Sequence, residues 1–176
     1  MAVLLAGAAL LVYALDQLTK LLVVARLREG EQLPLIGTLL QLHLVKNSGA
    51  AFSLGSGSTW VFALVAAAVA VFIVLFARRI RSLGWATLFG LLLGGTLGNL
   101  TDRLLREPGF GTGHVVDFVQ LWGFPAIFNI ADTAIVTSMA LFVLLTLRGI
   151  RLDGSRPQRE PQSGPEAPAP PPDHIG

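Results

Sequence analysis

Cysteine is missing from all 176 residues, so disulfides, thiol nucleophiles and Cys-ligated metals have no part in whatever this chain does. Charge is scarce too: 14% of residues are Asp, Glu, Lys or Arg, against about 25% in a soluble globular domain. Histidine is limited to His43, His114 and His174, with no HExxH spacing, which argues against a zinc peptidase. No repeat of two related halves is visible, as a transporter's inverted repeats would require. The pI of about 9.7 reflects arginines. They flank apolar runs instead of sharing one face with interleaved aromatics, so nucleic acid is not an expected partner.

What is plentiful is apolar surface, 53% of residues with a mean hydropathy of +0.66. It is gathered into four runs, residues 2–25, 60–77, 84–101 and 126–147. Each is near the ~20 residues that a spanning helix needs, and the second and third contain no charge. The expectation is an all-α membrane protein: four transmembrane helices over residues 1–152, with a small extramembrane β segment on the outer face. The first run has no basic residue ahead of it and is longer than the 7–15 residues or so of a signal core, so it is expected to remain as a helix. Arg78, Arg79 and Arg81 follow the second run; Arg148, Arg151, Arg156 and Arg159 follow the fourth. The positive-inside rule then makes both ends cytoplasmic and turns the loops before Trp60 and after Thr101 outward. Residues 153–176 form a proline-rich cytoplasmic tail, expected to be disordered and without catalytic role.

Between the first and second runs, LLQLHLV (residues 39–45) alternates with β-prone residues and reads as a short strand or hairpin at the outer surface. KNSGAAFSLGSGS follows, in which Asn47 and Gly49 suit a turn, and Ala50, Ala51 and Phe52 a dip into the interface. The second run has no internal polar group and reads as lipid-facing scaffold. Gly90, Gly94 and Gly98 in the third allow a close helix contact.

The polar residues inside the runs carry the chemistry. Asp16 and Lys20 stand four apart on one helix face, where they either lock packing or touch substrate. Asn99, Asp102 and Arg103 share i, i+3, i+4 spacing, and Asn129 and Asp132 stand three apart, about two turns or ~10 Å below the start of the fourth run. Asp117 precedes that run in VVDFVQLWGFPAIFNIAD, residues 115–132, where Trp122 and Phe124 suit headgroup depth. An ionised Asp in hydrocarbon costs at least ~2.5 kcal/mol, so a carboxylate here is a functional hypothesis by default. With the arginine-derived topology, all these groups fall in the outer half of the bundle. Two carboxylates sharing one site cannot easily both ionise; one holds a proton while its partner acts as base toward water, an aspartic-protease arrangement. A serine mechanism would need a base near Ser48, Ser53 or Ser56, for which His43 is the candidate. His114 reads as an interfacial loop residue. Two further classes stand beside the dyad: a lipid flippase, and a metal-dependent lipid phosphatase with Asp102, Asp117 and Asp132 as oxygen ligands.

Five motifs, in order, resemble lipoprotein signal peptidase, the bacterial signal peptidase II: DQLTK at 16–20, NSGAAFS at 47–53, GGTLGNLTDR at 94–103, VVDF at 115–118 and FNIAD at 128–132. The resemblance covers residues 11–135. It implies a four-helix inner-membrane aspartic endopeptidase of bacteria that removes the signal peptide of diacylglyceryl-modified prolipoproteins before the lipid-bearing cysteine. Asp117 and Asp132 would be the catalytic dyad. Asn47, Asn99, Arg103 and Asn129 would form a polar shell, with Asp16 and Lys20 as support and Asp102 holding Arg103; Gly49, in the loop that could cradle the substrate, is a further substrate-binding or support position. It further implies no cofactor and no metal, a monomer in contact with membrane lipid, an active site near the outer leaflet, and inhibition by globomycin-type compounds.

Overall fold

The computed structural model describes residues 1–49 and 59–155. The expectations for Ala50, Ala51, Phe52, Ser53 and Ser56, and for most of the proline-rich tail, lie outside the described residues. Four helices are long and apolar enough to cross a membrane: α1 (Ala2–Arg26), α2 (Thr59–Phe76), α3 (Leu83–Leu105) and α4 (Ile130–Leu147). A one-turn 3₁₀ helix, Ala77–Arg79, ends α2. The segments between α1 and α2 and between α3 and α4 form one antiparallel sheet in the order β1 (Gln32–Ile36), β2 (Leu40–Asn47), β3 (Val115–Leu121), β4 (Ile127–Phe128). The four-helix membrane architecture with a small sheet therefore holds.

Helix α3 is the centre of the bundle and packs against each of the other three. Its small residues are the cause. A Cβ at Gly94 would lie 2.6 Å from the Ala9 carbonyl of α1, and one at Gly95 would lie 2.5 Å from the Ala131 carbonyl of α4. Any side chain at these two positions would push a neighbouring backbone away. One end of the bundle closes on a core that includes Leu5, Ile73, Trp85 and Leu145. At that end the chain after α4 lies against the α2–α3 link: Arg81 and Ser82 donate their backbone N–H groups to the Leu152 carbonyl, and Trp85 Nε1 donates to that of Ile150. The two arginine-bearing segments thus sit together.

The sheet caps the opposite end. Leu44, Val116 and Phe118 pack against Val23 and Leu27 at the end of α1, and each such burial contributes about 1.5–3 kcal/mol. Because side chains alternate along a strand, Asp117, between Val116 and Phe118, faces the other way. The β2–β3 register runs Leu42↔Val119 and then Val45↔Asp117, Lys46↔Val116 and Asn47↔Val115, so one extra residue is accommodated in β2 between Leu42 and Val45.

Three boundaries differ from the hydropathy reading. Helix α3 continues to Leu105, carrying Asp102 and Arg103 within regular helix. The link after it contains β3, so VVDF is a sheet strand and not a loop. Helix α4 begins at Ile130 and not near Ala126, because residues after Pro125 pair with β3 (Val119↔Phe128, Gln120↔Ile127) before the helix starts.

Candidate active site

Asn129 is where the site is organised. It is fully buried and is the N-cap of α4. Its Oδ1 accepts from the Asp132 backbone N–H at 2.9 Å, and Asp132 Oδ2 accepts from the Asn129 N–H at 3.2 Å. This reciprocal capping box satisfies two of the backbone donors that a helix start leaves free. Asp132 is consequently in the first turn of α4, not two turns deep, which corrects the depth read from the apolar run. The Asn129 amide also reaches outward: Nδ2 lies 2.7 Å from Asp117 Oδ1, 3.1 Å from Asn99 Oδ1 and 3.3 Å from the Val116 carbonyl. One side chain therefore ties the helix bearing Asp132 to the strand bearing Asp117.

Each carboxylate has a second amide donor. Asn47 Nδ2 donates to Asp117 Oδ2 at 2.8 Å, and Asn99 Nδ2 donates to Asp132 Oδ1 at 2.8 Å. Asn47 is itself held by an Asx turn, its Oδ1 accepting from the Gly49 N–H at 2.7 Å; Gly49 has φ +88°, a conformation that suits glycine. Burial pushes the Asp117 carboxyl up from its ordinary 3.8 to about 6, and the Asp132 charge adds to the rise; the Asn47 and Asn129 donors and the Lys20 charge oppose it.

Both carboxylates line one cavity of about 470 Å³ together with Asn47, Leu121, Phe124, Ala126, Ile127, Phe128 and the α4 residues Thr133, Val136 and Thr137. It is polar at the Asp end and apolar elsewhere. Val136 is exposed on the flank of α4, so the cavity opens toward the side where lipid would lie.

Behind the carboxylates is a closed ionic cluster. Lys20 Nζ lies 2.8 Å from Asp16 Oδ2, 2.7 Å from Asp102 Oδ2 and 3.0 Å from Asn99 Oδ1, and all three charged side chains are fully buried. Asp16 Oδ1 accepts from the Ala131 N–H, and Asp102 accepts from the Val116 N–H and from Arg106 Nε at 2.6 Å. This corrects the expected Asp102–Arg103 pair. Asp102 faces α1, whereas Arg103 lies over the Phe62 ring of α2, 5.7 Å from its centroid. Adjacent residues on a helix point in different directions, and here they serve different neighbours.

The sequence reading overlooked Gln17, whose Nε2 contacts Asp16 Oδ2 and the Gly98 carbonyl at 3.1 Å each. It also overlooked Arg106 and Phe62. The signal for Arg106 was its i+4 spacing from Asp102; for Phe62 there was none, since an aromatic in an apolar helix is usually a packing residue.

His43 is engaged within the sheet, its Nδ1 3.0 Å from Gln120 Oε1 and 3.4 Å from Gln32 Nε2, and among the described residues it makes no hydrogen bond to a serine. With Asp102 held by Lys20 and Arg106, it does not converge with Asp117 and Asp132. Among the described residues no group of three His, Asp or Glu side chains is arranged to hold a metal ion.

A family model described as signal peptidase (SPase) II matches residues 8–148. The chain is 65% identical over 162 residues to a protein of Leifsonia xyli named lipoprotein signal peptidase, covering 92% of this chain and 74% of that one. A relative of the same name from Rhodococcus jostii is 50% identical over 82% of this chain and 73% of its own. Two solved structures, both described as bacterial membrane enzymes obtained by the in meso method, align with TM-scores of 0.71 and 0.72. Their identities are 30% and 28%, over 80% and 88% of this chain and 90% and 92% of theirs.

Proposed function

This chain belongs to the signal peptidase II family, and on that premise we propose that it is an aspartic endopeptidase. It removes the signal peptide of diacylglyceryl-modified prolipoproteins immediately before the lipid-bearing cysteine. The observation that carries this reading is the Asn129 bridge, which ties the buried Asp117 and the half-buried Asp132 into one mostly apolar cavity that opens beside α4. Asp117, with its raised pKa, holds the shared proton and donates to the scissile carbonyl oxygen as Asp132 takes a proton from the attacking water. The resulting tetrahedral diol collapses as Asp132 gives its proton to the departing amine and Asp117 takes one back from a diol hydroxyl, which releases the new carboxyl terminus and returns the pair to its starting state. The apparent pKa values belong to the pair. Gly49 and Asn47 hold Asp117 from the strand side, Asn99 holds Asp132, and Asp16, Lys20 and Asp102 stabilise the helices that carry them.

The arginine-bearing end of the bundle is cytoplasmic in this reading, along with both chain ends, and the sheet and site face the outer leaflet of the inner membrane. A peptide anchored there by acyl chains enters between the sheet and α4, at a depth that water also reaches. The enzyme works as a monomer over residues 1–152, without cofactor or metal, and takes globomycin-type inhibitors in the same cavity. The test is cleavage by the purified protein in detergent. A diacylglyceryl-modified precursor is expected to be cut, with or without a chelator, and its unlipidated form left intact; equal cutting of both, or loss of cutting with the chelator, would overturn the reading.

The proton on Asp117 sets a pH dependence. Activity needs the protonated form, so kcat/KM is expected to fall on the alkaline side with an apparent pKa near 6. Asn47 favours the ionised carboxylate, so Asn47→Ala is expected to move that limb to higher pH. A pH–rate profile of the two proteins checks this, and a limb that stays fixed or moves down contradicts it.

A further inference from the structure

Helix α2 carries no charged residue, yet two groups at its outer end reach the polar cluster. Thr59 Oγ1 donates to the Ser48 carbonyl at 2.8 Å. Phe62, one turn further on, has the Arg103 guanidinium over its ring and Gly49 beside it, so close that a Cβ on Gly49 would lie 2.9 Å from Phe62 Cε2. We propose that Phe62 is a positioning residue of the active site, a fixed aromatic post that holds both Arg103 and the Asn47–Gly49 turn against the two carboxylates. The proposal rests on the peptidase reading of that site.

Arg103 needs such a post. It has no acidic partner within ion-pair distance among the described residues, its Nη1 makes a long 3.3 Å contact with the Asn99 carbonyl, and its buried Nε has no hydrogen-bond partner. A guanidinium without a fork-to-fork carboxylate is oriented by packing, and an aromatic face supplies packing and electrostatic attraction together. The turn has the same need. Asn47 reaches Asp117 from the last residue of β2, and beyond it the Gly49 N–H on its Oδ1, the Thr59 hydroxyl and the Phe62 ring edge fix the chain. Loosening the ring frees two groups that favour the ionised carboxylates, a positive charge and an amide donor. The other charges whose fields reach Asp117, Lys20 on α1 and Asp132 on α4, are not held by Phe62.

The test compares the full chain with Phe62→Leu, Phe62→Tyr, Asn47→Ala and the Phe62→Leu/Asn47→Ala double variant, on the lipidated precursor. Phe62→Leu is expected to lose about tenfold or more in kcat with KM little changed, as small misplacements of catalytic groups do. Its alkaline limb is expected to move to higher pH. Phe62→Tyr keeps the ring face and is expected to stay within about threefold of the parent. The double variant is expected to lose less than the product of the single losses, because both act on the Asp117 donor. Unfolding temperatures measured alongside separate a loss of fold from a loss of position. An undiminished kcat in Phe62→Leu, a loss without movement of the limb, or a folded Phe62→Tyr as damaged as Phe62→Leu would overturn the proposal. A parent protein that leaves the lipidated precursor uncut is the distinct result that removes the peptidase reading itself, and this inference with it.

Discussion

Asp132→Asn is expected to abolish cleavage of a lipidated precursor while leaving the fold in place. Asparagine has the same shape, and its side-chain oxygen can still accept from the Asn99 amide or from the Asn129 N–H. It cannot accept from both, since its amide half is a donor, and Asn99 is not free to turn because its Oδ1 receives Lys20. One mismatched hydrogen bond costs about 1–3 kcal/mol. Loss of the base is far larger in rate, about 10³-fold or more for a general base that does not recover by another route. Asp117→Asn is expected to behave alike, with the mismatch falling on Asn47 or Asn129. Single-turnover cleavage in detergent, with unfolding followed on the same samples, checks both. A folded variant at either position that retains more than about a tenth of the parent rate would show that the pair does not do the acid–base work.

The second large effect lies behind the site. Lys20→Met keeps the length of the side chain and removes the cation from between Asp16 and Asp102, both fully buried. A buried ion pair is itself weak evidence of stability, but taking away one member leaves the other charge uncompensated, at a cost of about 3–5 kcal/mol. Here two carboxylates are left, relieved by Arg106 on Asp102, by the Gln17 amide and by backbone N–H groups on each. Denaturant or thermal unfolding in detergent is expected to show that loss. Activity should also fall in whatever remains folded, because Asn99 loses one of the two donors, Lys20 and Asn129, that orient it toward Asp132. An unchanged unfolding midpoint would mean that the cluster is not the brace described above.

What the sequence made legible was the part governed by spacing within one element. Asp16 and Lys20 at i, i+4 do pair, and Asn129 and Asp132 at i, i+3 do bond, since those intervals bring helix neighbours to one face. The apolar runs announced four helices by their length, each near the ~20 residues that a span needs. What spacing did not reveal was pairing between elements. Asp102 and Arg103 sit next to each other in the chain, yet the first bonds across to α1 and the second lies on an aromatic of α2. The strand holding Asp117 follows a stretch with Gly109, Gly111 and Gly113, and its partner is β2, some seventy positions earlier; no local pattern points that far. The start of α4 was set too early because apolar content continues through Ala126–Phe128, where the backbone is extended. Hydropathy reports what a segment buries, not the conformation in which it does so.

The extra residue in β2 carries a consequence of its own. Downstream of it, Asn47 pairs with Val115 and so shares a sheet face with Asp117, while Leu44 turns with Val116 and Phe118 toward α1. Were the ladder to run on regularly from Leu42↔Val119 with every residue paired, the phase would invert: the asparagine would point at the hydrophobic core and Leu44 at the carboxylate. A single backbone irregularity, ending at the residue opposite Asp117, thus decides whether the acid group meets an amide or a hydrocarbon. Strand phase is in this sense part of the enzyme's titration chemistry: deleting one residue between Leu42 and Val45 would only remove the bulge and keep the downstream pairs, whereas deleting Lys46 would turn Asn47 to the other face without touching either aspartate.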